Sequence, residues 1–138
     1  MFVELHAQSA FSFLEGAEQP EALVEAAARQ GMPALALVDR DGVYGAARFH
    51  RAAENAGVRA LVGSELTLAD GSRLPVLVED RDGYRNLCRL ITRLKMSAAK
   101  GTGRITLDDL APDAGGLVCL TGGRHGPHRA VARPAESR

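Results

Sequence analysis

Ala34-Leu35-Ala36-Leu37-Val38, closed by Asp39-Arg40-Asp41-Gly42, decides the reading of this chain. Five apolar residues run without polar interruption, so neither face of the strand they predict meets water. Strands covered on both faces belong to parallel sheets flanked by helices. The flanks agree. Upstream, Pro20 suits the first turn of a helix, Leu23, Ala26 and Ala27 line one face, and Gly31 ends it. Downstream, Ala46, Phe49, Ala53 and Ala56 recur at spacings of three and four, and Gly57 stands where a left-handed cap belongs.

Working outward, Phe2 to Ala7 reads as a first strand leading into a Ser-rich loop. Val58 to Leu68 reads as a third strand, and Ala69-Asp70-Gly71-Ser72 as a hairpin turn into Leu74 to Val78. The third helix is the strongest signal: Tyr84, Leu87, Leu90, Ile91 and Leu94 share a face, while Arg81, Arg85, Arg89 and Arg93 step by four along another. A short turn near Leu107 to Leu110 and a strand from Gly116 to Leu120 follow. This order predicts an α/β fold, a mostly parallel sheet with outer helices.

Composition sets the bounds. A chain of 138 residues with 46% hydrophobic and 25% charged residues has room for one core and lacks the profile of a disordered polymer. No apolar run approaches the roughly 18 residues of a membrane span, and no leader is evident, so a cytoplasmic protein without membrane contact is expected. Cys88 and Cys119 lack metal or disulfide spacing and read as buried thiols. Charge is balanced overall, yet residues 81–104 hold seven basic residues against Asp82 alone. The stripe Arg81, Arg85, Arg89, Arg93 therefore reads either as a solvated helix face or as a contact for DNA phosphates or another domain. Residues 122–138, rich in Arg and Pro, are expected to lack fixed structure, which leaves residues 1–121 as the folded part.

Functional groups of parallel α/β folds gather at the carboxyl ends of strands. His6, Asp39 with Asp41, and Glu65 all fall there, the raw material of a hard-metal or phosphoesterase site. Each has a plainer reading. A lone His seldom makes a metal site, Asp39 and Asp41 suit a turn before Gly42, and Glu65 in a strand needs a cation, hydrogen bonds or solvent. Phosphate-cradling loops and a nucleophile elbow are absent.

Four blocks carry a family resemblance: residues 2–16 (Phe2-Val3-Glu4-Leu5-His6-Ala7-Gln8-Ser9-Ala10-Phe11-Ser12-Phe13-Leu14-Glu15-Gly16), residues 31–45 from Gly31-Met32-Pro33 to Val43-Tyr44-Gly45, Gly63-Ser64-Glu65-Leu66, and residues 83–92. They resemble the amino-terminal PHP domain of bacterial C-family DNA polymerases, the polymerase III alpha subunits, nearest the error-prone branch. The resemblance implies a PHP-type, TIM-like β/α barrel with a metal cluster at its mouth, used in some members to cleave phosphodiesters. It places His6, Glu15 and Glu65 at metal-site positions, with Asp39 adjacent.

Two departures stand out. The family's His-x-His after the first strand is His6 with Gln8 here, and its Asp-His after the second is Asp39 with Arg40. A carboxamide is a poor ligand for zinc or manganese, and a guanidinium brings a fixed positive charge. The expectation is a vestigial site with no cofactor, zinc or manganese entering only if the degenerate site still binds. Arg40 is expected to pair with Glu65 or Glu15. Such barrels run to about 250 residues, so this chain is expected to be a partial barrel: a truncated product, or a fragment whose partner is the remainder of a polymerase, another replication or repair protein, or a second copy through the open sheet. Its role is read as structural, in replication and damage-tolerant synthesis. The alternative is a small metal-dependent PHP phosphoesterase or nuclease.

Overall fold

A computed structural model describes residues 1–127 of the chain. Strand β1 (Glu4–Ala7) is followed by helix α1 (Pro20–Arg29), strand β2 (Ala34–Arg40), helix α2 (Ala46–Ala56), strand β3 (Arg59–Thr67), strand β4 (Arg73–Val78), helix α3 (Arg81–Met96), a one-turn helix α4 (Leu107–Leu110) and strand β5 (Leu117–Cys119). The strands form one open sheet in sequence order, β1 to β5. β1 runs parallel to β2, and β4 and β5 pair antiparallel, with Val76 opposite Cys119. The α/β fold read from the periodicities is the fold observed. The chain condenses into two compact units that divide after Ser64, within β3.

In the first unit every β2 residue from Ala34 to Asp39 is buried, the double coverage that its unbroken apolar run requires. Leu35 and Leu37 pack with Val24 and Ala27 of α1, Phe49 and Ala53 of α2, and Val58. Pro20 opens α1 as expected, and Gly57 (φ 68°) ends α2 in the left-handed conformation, its amide donating to Ala53 and Glu54 carbonyls.

In the second unit α3 packs on β4 and β5, burying Leu87, Leu90 and Leu94. Asp80 caps α3 by accepting the Gly83 amide at 2.8 Å. The β3–β4 turn closes through Leu68 N–H to Ser72 O at 2.8 Å, and Asp70 accepts from the Ser72 amide and hydroxyl. Thr106 and Asp109 form a reciprocal capping box on α4.

One expectation is corrected. Cys119 is exposed and Cys88 only half-buried, because β5 is a three-residue edge strand and Cys88 lies at the margin of the buried α3 face. Gly123–His125 forms a 3-10 turn. Residues 128–138, most of the segment expected to lack fixed structure, lie outside the described residues.

Candidate functional site

The rim at the end of β2 is organised by Asp39. Its residue is 2% exposed, so its carboxylate must find donors inside the protein. The loop after β1 supplies them. Ser9 donates its amide to Oδ1 and its hydroxyl to Oδ2, both at 2.7 Å, and the Ser12 hydroxyl donates to Oδ1 at 2.8 Å. The Ser12 oxygen in turn accepts the Arg40 amide at 3.0 Å. Ser64, at the end of β3's first half, donates to the Asp39 carbonyl at 2.9 Å and accepts the Gly42 amide at 3.0 Å. Three serines and one aspartate thus staple the loops that follow β1 and β2. Gly16 closes the first loop because a Cβ there would lie 2.0 Å from the Ser9 carbonyl oxygen.

Arg40 leaves β2 beside this network, and its Nη1 donates to Glu15 Oε1 at 2.9 Å. Glu15 is therefore the partner, of the two expected, that Arg40 takes. Glu65 is 3% exposed on β3 and forms an ion pair with Arg73 of β4 at 3.6 Å, which supplies the cation that its burial demands. His6 sits exposed on β1, where the pairing register shifts between Glu4 and Ala7, and its amide donates to Glu4 Oε1. Gln8 donates to the Val38 carbonyl at 3.4 Å. Sequence reasoning missed Ser9, Ser12 and Ser64. The signal available was a pair of serines three apart directly after a strand.

A metal ion does not fit this donor set. Asp39 Oδ1 already serves two donors and Oδ2 one, and Glu15 is held by a guanidinium, so an entering cation would displace hydroxyls and compete with a fixed charge. Among the described residues no three His, Cys, Asp or Glu side chains come together as a metal-holding group.

Two further clusters are polar. Arg48 of α2 grips Glu21 of α1 with two hydrogen bonds, 2.6 Å from Nε and 2.8 Å from Nη2, and lies 5.9 Å over the Phe11 ring. The fork draws the Glu21 carboxyl below the usual carboxylate range, and the same bond raises the Arg48 guanidinium. The α3 arginine stripe is largely engaged within its own unit. Arg93 donates to Asp113 at 2.9 Å and to the Asp109 carbonyl at 2.6 Å, Arg89 lies 3.8 Å from Asp113, and Arg85 pairs with Asp82.

Comparison with known proteins places this geometry. An error-prone DNA polymerase of Ralstonia nicotianae is 44% identical over 129 residues, which is 90% of this chain and 12% of the relative. Another from Corynebacterium diphtheriae is 50% identical over 99 residues, 72% of this chain and 10% of the relative. One from Mycobacterium tuberculosis is 45% identical over 137 residues, 91% and 12% respectively. The chain therefore spans only a small amino-terminal share of these relatives. Among solved structures, an amidohydrolase from Chromobacterium violaceum superposes with a TM-score of 0.57 at 27% identity, covering 67% of this chain and 33% of that one. A protein from Bifidobacterium adolescentis described as a metal-dependent phosphoesterase gives 0.55 at 23% identity, covering 82% and 43%, and likewise shows the fold. The PHP domain model matches residues 4–136, a span that holds every strand from β1 to β5 together with the serine-stapled rim. The chain belongs to the PHP domain family.

Proposed function

We propose that this chain is the amino-terminal PHP portion of an error-prone DNA polymerase, acting in DNA replication and damage-tolerant synthesis in the cytoplasm. Its own part is structural. The similarity to error-prone polymerases over 90% of the chain carries this reading. The rim chemistry supports the structural role, because the carboxylates of Asp39 and Glu15 are committed to protein donors. On this reading His6, Glu15, Asp39 and Glu65 are remnants of the metal-site positions that the resemblance implies, and the structural role calls on neither zinc nor manganese. The remainder of a polymerase is the partner proposed. The arginine stripe serves domain contact before DNA, because Arg89 and Arg93 already face Asp113.

The second reading, a small metal-dependent phosphoesterase or nuclease, is favoured by the fold shared with the Bifidobacterium adolescentis protein. Calorimetric titration with zinc and manganese separates the two, run beside an assay of phosphodiester hydrolysis. No saturable heat and no hydrolysis are expected. A tight stoichiometric event accompanied by turnover would replace the structural reading with the enzymatic one.

A further inference from the structure

The tip of the loop after β1 carries two adjacent large apolar side chains that the fold holds away from itself. Phe13 is 77% and Leu14 106% exposed. Leu14 also adopts φ 66°, a left-handed conformation that a branched apolar residue avoids unless its surroundings impose it. The surroundings here do. Ser12 is fixed by Asp39, Glu15 by Arg40, and the amides of Glu15 and Gly16 both donate to the Ser12 carbonyl, at 3.0 and 2.9 Å. The tip is thus a rigid, strained knob rather than a loose end. Strain retained at an exposed position with no internal packing benefit points outward, to something the knob meets.

We propose that Phe13 and Leu14 form a docking knob for an apolar pocket in the polymerase polypeptide that, in the relatives, follows the region matched here. This inference rests on the polymerase reading above. Two observations select that occupant. The matched region is only 10–13% of the relatives' length, so most of the polypeptide able to cover the knob lies beyond it. The charges flanking the tip, Glu15 and Arg40, neutralise each other at 2.9 Å, which suits an apolar protein surface and offers nothing to nucleic acid phosphates.

The test measures binding between the full chain and the Ralstonia nicotianae polymerase lacking its own matched segment. That segment, supplied separately, sets the reference affinity. Wild-type chain is expected to bind, and Phe13→Ser and Leu14→Gly each to weaken binding at least tenfold. Leu14→Gly relieves the left-handed strain, so its melting temperature should stay level or rise while binding falls. A purely internal role for Leu14 would give the reverse, lower melting with binding intact, and would overturn the proposal. Binding by wild type and both variants alike overturns the knob but leaves the polymerase reading standing. Failure of the wild-type chain where the reference segment binds overturns both. Self-association of this chain that Phe13→Ser abolishes would assign the knob to a second copy and also overturn the proposal.

Discussion

Asp39 is held by three neutral donors, the Ser9 amide and the Ser9 and Ser12 hydroxyls, and its contribution lies in geometry. Replacing it with Asn turns one carboxylate oxygen into an N–H group facing Ser9 or Ser12, which leaves donors opposed inside the protein. A loss of about 3 kcal/mol is expected in urea denaturation. Ser12→Ala removes one donor to Asp39 and the acceptor of the Arg40 amide, and about 1–2 kcal/mol should go with it. Because both changes dismantle one network, the double variant should lose less than the two singles combined, and additive losses would show that the contacts act independently. The sequence made Asp39 visible as a rim residue and offered Glu15 as a partner for Arg40. It could not reveal the serine donors, since contacts across 27 and 30 residues leave no local periodicity. The same holds for Arg73 opposite Glu65: the hairpin was legible, the pairing across it was not.

At the scale of elements, helix positions followed from periodicity, because burying one face imposes a repeat that residue order records directly. The links between elements are side-chain forks. The Glu21–Arg48 clamp joins α1 to α2, and its titration has a definite sign. Glu21 has a lower pKa folded than unfolded, so its stabilising contribution is complete above about pH 4.3, the ordinary glutamate value, and disappears as pH falls through the folded value. Thermal melts of the wild type and Arg48→Gln should therefore differ at pH 7 and draw together as pH falls through the folded Glu21 value. A difference that persists in acid would assign the effect of Arg48 to its contact with Phe11. On α3, Arg93→Ala breaks the bond to Asp113, whose side chain is 12% exposed, and frees the Asp109 carbonyl. A loss of about 1–3 kcal/mol is expected, against about 0.5 kcal/mol or less for Arg85→Ala in its exposed pair. The stripe of four arginines was plain in the sequence. Its receptor was not, because Asp113 sits in a 3-10 turn with no repeat to announce it.

For the molecule as a whole, stability should come from packing and be indifferent to ions. Phe49 is fully buried within the first unit's apolar cluster, and Phe49→Ala should cost about 3–5 kcal/mol. Zinc or manganese at a hundred times a genuine dissociation constant would add about 2.7 kcal/mol, a shift easily seen in a melt. Neither added ions nor a chelator is expected to move the transition. The partial α/β fold was legible because β2's apolar run, the glycine stops and the α3 periodicity all agree. The exposure of Cys119 and the half-burial of Cys88 were not, because apolar neighbours in sequence do not report which sheet edge a strand occupies or where the margin of a helix's buried face falls.

The serine staple also constrains redesign. Histidines introduced at positions 8 and 40 would still meet an aspartate fastened to two hydroxyls and an amide. Freeing that aspartate means loosening the turn on which the glutamate three residues beyond Ser12 depends. An ion could be seated here only after Ser9 and Ser12 had released Asp39, so the staple would have to be dismantled before a metal centre could be built.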